Sequence, residues 1–429
     1  MTTTATSAPN QSVKRPQKRR VVITGIGAVT PLGNTLSDTW NGLLEGKLVA
    51  APIKRFDAAD YPSQIAYEVA DFKLRRELLQ TGEEMYLNDA TSFAVNAAAE
   101  AMEQAQLTSV QVDPSRTAVC FGNGLTCPGL DWYSEVYVPK KFDDPSFTNH
   151  IRFFADQISS VLGRMIGAQG GVTTIHTACA SSGQALGEAY EMIAYGDADL
   201  VLTGGSDSMI NPFSAAGFAL LGALSHRNDE PKTASRPFDR DRDGFVFGEG
   251  ACVLIFEDYE RAIQRGANII AEVCGYGVTE SAYRITDLHP EGRGPIEAME
   301  MALNDAEIES SAVGYVNVHG TSTQLNDRIE ALAIAKVFGE YSQSMFVSST
   351  KSMTGHMIAA AGAIEFAFCV MALKHQLLPP SINIFEADPD CRISLTPMKV
   401  TTHAMRYALS NSVGFGGSNT AIIAGRIDT

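Results

Sequence analysis

Residues 172–196, VTTIHTACASSGQALGEAYEMIAYG, carry the reading of this chain. The β-branched run Val172–Ala178 is expected to form a buried strand, and Ser182–Ala194 repeats apolar residues at helical spacing. Cys179 stands where one gives way to the other. A thiol on such a turn points into space above a sheet, and the helix N-terminus stabilises its thiolate and lowers its pKa. The small residues Ala178, Ala180, Ser181, Ser182 and Gly183 leave room beside the sulfur for an incoming group. Alone, a free cysteine is more often a buried packing residue.

The same grammar extends outward. VVITGIGAV (Val21–Val29), TAVCFG (Thr117–Gly122), DLVLTGG (Asp199–Gly205), CVLIFE (Cys252–Glu257), YVNVHG (Tyr315–Gly320), FVSSTK (Phe346–Lys351) and TAIIAG (Thr420–Gly425) read as further buried strands. Helical patterns separate them: Leu36–Leu44, Pro295–Ala306, Asp327–Phe338 and Ala359–His375. Apolar strands alternating with helices imply an α/β fold whose sheet is covered on both faces. Each half places a reactive residue just past a strand, Cys179 in the first and His319 in the second, which suggests a duplicated architecture. Residues 1–20 read as a disordered tail, 21–260 as a first half and 261–429 as a second. Ser225–Gly250 reads as a long ordered loop.

Composition narrows the class. The 429 residues are 45% hydrophobic and 19% charged, a globular balance, and a net charge of -16 disfavours nucleic acid as a partner. Seven cysteines without a CxxC pair suggest neither zinc nor disulfides and fit a reducing, cytoplasmic compartment. The apolar stretch Ala359–Leu373 is interrupted by Glu365 and reads as a buried helix, so no membrane association is expected.

Three further stretches bear chemistry. His319 in YVNVHGTSTQLND lies at a strand end, where ligands bind in α/β sheets. His356 in STKSMTGHMIAAAGAIE follows Lys351, which closes a strand, and Gly355. SNSVGFGGSNT sets three glycines around Phe415 and can present backbone N–H groups to an anion; it lacks the Lys-Ser/Thr of a phosphate loop. Each reads equally well alone as an ordinary loop residue or turn. His176, on the strand itself, reads as a packing residue.

In combination and in order, TACASSGQALGEA, VHGTSTQLND, TKSMTGHMIAAAGAIE and NSVGFGGSN resemble the β-ketoacyl-ACP synthases, most closely those of type II. ITGIGAVTPLG and ASRPFDRDRDGFVFGEGA match as well, so the resemblance spans the chain beyond the tail. It implies a thiolase fold, two similar halves in a five-layered α-β-α-β-α arrangement, usually dimeric. It implies a triad of Cys179, His319 and His356, with Lys351 beside it and Glu365 and Asp327 in support. Phe415 matches a gating phenylalanine whose N–H completes an oxyanion hole with that of Cys179. Thr321, Thr323, Leu125, Gly416 and Gly417 match substrate-binding positions. No cofactor of its own and no catalytic metal are implied, only phosphopantetheine brought by an acyl carrier protein. Asn317, Glu330, Glu365 and Ser410 match positions lining a monovalent-cation site in some relatives, and a buried polar network has the same pattern.

Departures from the family bear on pathway. Gly222 replaces an arginine that docks the carrier in many bacterial members, and LLQTGEEMY (Leu78–Tyr86) is acidic where relatives are often basic. Lys73, Arg75 and Arg76 are nearby candidates to compensate. Cys127–Gly163 fits the fatty-acid pattern poorly, and AYRITDLHPEGR and LNDRIE lean toward the ketosynthase subunits of type II polyketide systems. The expected role is the active subunit of a pair with a chain-length-factor homologue. The alternatives are a homodimeric fatty-acid elongation synthase and, from another class, a non-catalytic acyl-pocket partner, against which the intact triad argues. A degradative thiolase is disfavoured because NSVGFGG holds no second cysteine.

Overall fold

The structure, a computed structural model, describes residues 18–107, 112–124, 139–140 and 154–427. Among the described residues, ten strands build the main sheet. They are β1 (Val21–Val29), β2 (Thr117–Asn123), β3 (Val172–Ile175), β4 (Leu200–Asp207) and β5 (Gly250–Asp258), then β6 (Ala271–Glu280), β7 (Val313–Asn317), β8 (Phe346–Ser348), β9 (Tyr407–Val413) and β10 (Ser418–Gly425).

The spatial order is β3-β2-β4-β5-β1-β6-β10-β9-β7-β8. Adding five to each label of the first half reproduces the second, read outward from the centre. Directions repeat too. β2 runs parallel to β3 and β4, as β7 does to β8 and β9, while β5 and β10 are antiparallel to both neighbours. The halves join through the antiparallel pairs Val21–Val273, Val22–Glu272 and Ile23–Ala271. The duplication expected from the recurring strand–helix order is therefore structural, although no sequence repeat marks it.

Helices complete five layers. α1 (Asp89–Gln104) covers the outer face of β1 and β5, and α4 (Arg293–Asp305) covers β6 and β10, with α5 (Gln324–Phe338) beside it. Between the halves lie α2 (Ser181–Ala194) and α6 (Ala361–His375), each touching strands of both halves and each other. Every residue from Ala361 to Leu373 is buried, which suits a helix apolar on all sides. Ile358–His375 is long and apolar enough to cross a membrane, yet 89% of it is buried inside the protein, as expected of a core helix. A shorter helix, α3 (Pro212–Leu220), lies against Phe245 and Phe247 through Phe218.

The close meeting of α2 and α6 rests on glycine. A Cβ on Gly362 would lie 2.7 Å from the Gly183 nitrogen and 3.0 Å from its Cα. Ser182 Oγ adds a hydrogen bond from Ala363 N–H at 2.9 Å.

Some expectations are corrected. β3 is a sheet edge, not a buried strand, and Val172 is 45% exposed. It ends at Ile175, so His176 is an exposed residue beyond it, bonded through Nδ1 to the Asn123 carbonyl oxygen at 2.9 Å. Lys351 does not close β8 but opens a short helix, Lys351–Thr354. The strands β6 and β9 are additional. Residues 18–20 are anchored, not tail: Lys18 pairs with Asp305, Arg19 with Asp199 at 2.9 Å and Arg20 with Glu272 at 2.7 Å. Residues 1–17, Leu125 and most of Cys127–Gly163 lie outside the described residues.

Gly362→Ala is expected to lower stability by about 1–3 kcal/mol, the cost of overpacking a tight contact. Gly217→Ala, on an exposed face of α3 with nothing within 4 Å, is the control and is expected to raise stability by up to about 1 kcal/mol. Urea unfolding of both variants checks this.

Candidate active site

Cys179 lies in a short 3-10 turn, Ala178–Ala180, that runs into α2. Ala178 takes a φ of 49°, a left-handed conformation that a non-glycine residue adopts only under constraint. The second half repeats the device. Ile358, at φ 42°, opens the turn Ile358–Ala360, which runs into α6. The position matching Cys179 there is Ala359, whose N–H donates to Asp207 Oδ2 at 3.0 Å. One strained turn thus presents the thiol, and its twin carries His356 on the approach.

His356 is locked by its backbone, whose N–H donates to Val246 O at 2.8 Å and whose carbonyl accepts from Gly248 N at 2.9 Å. Gly355 makes this possible: at φ 68° its Cβ would lie 2.6 Å from the Tyr67 ring and 2.9 Å from Phe247 O. His356 Nε2 sits 3.1 Å from Cys179 Sγ. Its Nδ1 is buried without a partner among the described residues, which favours a bare lone pair there and the hydrogen on Nε2.

His319 stands two residues beyond β7 and meets His356 edge-on, with ring centroids 5.2 Å apart at 82°. Glu330 of α5 fixes its backbone, accepting from His319 N at 2.6 Å and Gly320 N at 2.7 Å. Lys351 Nζ lies 3.4 Å from His319 Nδ1 and donates to the His319 carbonyl at 2.5 Å. An ammonium facing Nδ1 leaves the imidazole hydrogen on Nε2. Lys351 is neutralised by Glu365 of α6, both side chains being 1% exposed. The ligand atoms of Cys179, His319 and His356 all lie within 4.8 Å of one another.

The electrostatics revise one expectation. Burial pushes the Cys179 thiol up to about 12, against the opposing pull of Lys351 and of the Phe415 N–H at the sulfur. The helix N-terminus therefore does not by itself produce a low-pKa thiol. Both imidazoles are held well below the usual histidine range, first by burial and then by the Lys351 charge, and so are neutral at pH 7. Neutral Nε2–H groups beside a sulfur form a donor pair suited to an oxygen that gains charge.

Cys179, His319, His356, Thr321, Thr323, Phe415 and Gly417 line one cavity. The Thr321 and Thr323 hydroxyls are hydrogen-bonded at 2.9 Å. Gly416 is exposed and bonds through its N–H to Ile285 O at 2.6 Å, outside the cavity lining. Asp327 lies deeper, accepting from Phe238 N at 2.9 Å and Ser322 N at 3.2 Å.

Several site residues were not singled out from sequence. Arg242, fully buried, donates to Thr323 O at 3.0 Å and Gln324 O at 2.9 Å and pairs with Asp388 at 2.6 Å, pinning the threonine turn. Its signal is an arginine in the alternating run DRDRDG. The clamp made by Glu330 on the His319 backbone was also missed, as was Asp207, whose carboxyl is pushed up to about 7 by burial. Asn317, Ser410 and Glu365 each keep a buried oxygen without a partner among the described residues.

Glu365→Ala is expected to cost about 3–5 kcal/mol in urea unfolding, because it leaves the Lys351 charge buried and unpaired. The double variant Lys351→Met/Glu365→Leu is expected to recover most of that loss. Iodoacetamide alkylation of Cys179 is expected to rise about tenfold per pH unit from pH 7 to 9 without a plateau, as a raised thiol pKa requires.

The β-ketoacyl synthase N-terminal domain model matches residues 18–262 and the C-terminal domain model residues 270–385. The 3-oxoacyl-[acyl-carrier-protein] synthase 2 of Synechocystis sp. is 40% identical over 95% of this chain and 98% of its own. Its namesake in Coxiella burnetii is 40% identical over 96% and 99%. Among solved structures, a type II polyketide-synthase acyl carrier protein in complex with its ketosynthase bound to the hexaketide is 33% identical with a TM-score of 0.84, over 96% of this chain and 100% of that one. A β-ketoacyl synthase from Burkholderia phymatum is 31% identical with a TM-score of 0.89 over the same shares. The ishigamide ketosynthase/chain length factor is 32% identical with a TM-score of 0.86, again over the same shares. The chain therefore belongs to the β-ketoacyl synthase family, acyltransferases that condense acyl groups delivered by acyl carrier protein.

Proposed function

We propose that Cys179, His319 and His356 carry out a decarboxylative Claisen condensation, a reading that rests on their convergence in one cavity. Cys179 sulfur attacks an acyl thioester. The acyl–sulfur bond to the carrier breaks, and the cysteine's proton leaves with the carrier thiol. The N–H groups of Cys179 and Phe415 hold the oxyanion. Malonyl-carrier protein then enters, its phosphopantetheine arm held by Thr321 and Thr323. As carbon dioxide departs, the electron pair it leaves forms an enolate whose oxygen accepts hydrogen bonds from His319 and His356. The enolate carbon attacks the acyl group, the bond to Cys179 breaks, and the released thiolate takes up one proton from solvent. Lys351 polarises and orients His319 without attacking.

The pathway we infer is type II polyketide or polyene synthesis, with this chain as the active subunit beside a chain-length-factor homologue. Gly222 at the carrier-docking position supports it, and so does the engagement of Arg75 with Glu77 and Glu103 and of Arg76 with Glu84. Two of the three compensating cations are thereby occupied. The exposed edge strand β3 offers a second subunit a row of backbone groups. The second reading, a homodimeric fatty-acid elongation synthase, is favoured by the 40% identity to the two synthase 2 relatives.

Incubation of the purified chain with acyl- and malonyl-carrier proteins separates these readings. The polyketide reading expects 3-oxoacyl product by mass only after a cysteine-free homologue is added. Product from the chain alone supports the fatty-acid reading. No product under either condition contradicts the proposed reaction.

A further inference from the structure

Phe415 contributes two things to the site: a backbone N–H at the Cys179 sulfur and a partly buried ring at the cavity wall. Its loop carries glycine on both sides of the ring. Gly416 and Gly417 follow at φ 99° and 103°, and Gly414 approaches the nucleophile turn so closely that a Cβ there would lie 2.6 Å from Thr177 O. The Phe415 ring stacks on Phe218, centroids 6.1 Å apart at 23°. Phe218 is itself wedged between the edges of Phe245 at 5.5 Å and 82° and Phe247 at 5.4 Å and 87°. Phe245 in turn meets the His356 ring at 5.1 Å and 81°. Such edge and stacked pairs each contribute about 0.5–1.5 kcal/mol beyond burial.

We propose that Phe218 is a positioning residue for the first half-reaction. By stacking on Phe415 it holds a glycine-flanked loop so that the Phe415 N–H stays at the Cys179 sulfur. Phe218 touches the Phe415 ring directly, and through that contact it acts on the loop. Decarboxylation of malonyl-carrier protein uses His319 and His356, whose backbones are held by Glu330 and by Val246 and Gly248, and it needs no Phe415 N–H.

This inference rests on the condensation proposed above, and the wild-type protein serves as the control for that reading: absence of acylation there sinks the reaction, not the role of Phe218. Phe218→Ala is expected to slow acylation of Cys179 by acyl-carrier protein about 10- to 100-fold, the range for a displaced oxyanion donor. Carbon dioxide release from malonyl-carrier protein alone is expected to stay within about twofold. Phe218→Tyr, which keeps the stacked ring, is expected to restore acylation. An equal fall in both partial reactions, unchanged acylation in the alanine variant, or failure of the tyrosine variant to restore it would each overturn the proposal.

Discussion

The contact between Gly183 and Gly362 is the constraint on which the site depends. Two helices, one from each half, start within backbone reach of each other because Gly362 carries no side chain against the Gly183 backbone. Each helix is entered through a strained turn, at Ala178 and at Ile358. Bringing the helix starts together brings the turns together, and so places the thiol of one half beside the imidazole of the other. A larger residue at Gly362 would press against the Gly183 backbone and force apart the helix starts that set the 3.1 Å spacing of Cys179 and His356. The duplication is thus more than a description of the fold. Two copies of one strand–turn–helix unit face each other, one bearing Cys179 and the other, with Ala359 in the matching position, bearing His356.

Around that contact the protein keeps a set of charges out of water. Lys351 with Glu365, Arg242 with Asp327, and Glu330 with the His319–Gly320 backbone are all deeply placed, and Asp388 meets Arg242 from a partly buried position. Buried pairs are weak sources of stability but hold geometry well when fully bonded. Their arrangement here is directional: Lys351 sets the His319 tautomer, Glu330 its backbone, and Arg242 the threonine turn. Burial lowers both histidines and raises the cysteine, so the resting site is a set of neutral donors around a protonated sulfur. A neutral site is suited to receiving charge as the reaction proceeds.

Much of this was legible in sequence because it is local. Strand runs ending in Cys179 and near His319, the glycine before His356 and the glycines around Phe415 each announce a turn with a reactive group. The strands β6 and β9 escaped notice because AEVCGYGVTE and YALSNSV mix glycine and polar residues with apolar ones. β9 is nonetheless buried along most of its length, in a sheet interior where tertiary packing overrides propensity. The roles of Arg242 and Asp207 were not legible, because each depends on partners far away in the chain, and that of Glu330 depends on α5 folding back on the end of β7. The thiol pKa was misjudged for the same reason. The helix N-terminus is visible in sequence, whereas the depth at which the fold buries it is not.

The central claim is that the first half supplies the nucleophile and the second half the donors that handle malonyl decarboxylation. The most direct measurement compares Cys179→Ala with His319→Ala/His356→Ala in the two partial reactions, acyl transfer to protein followed by intact mass and carbon dioxide release from malonyl-carrier protein. The account expects the cysteine variant to lose the acyl adduct yet still release carbon dioxide, and the double histidine variant to become acylated yet lose release by at least about 10²-fold. Loss of both activities in both variants, or an acyl adduct that survives Cys179→Ala, would contradict it.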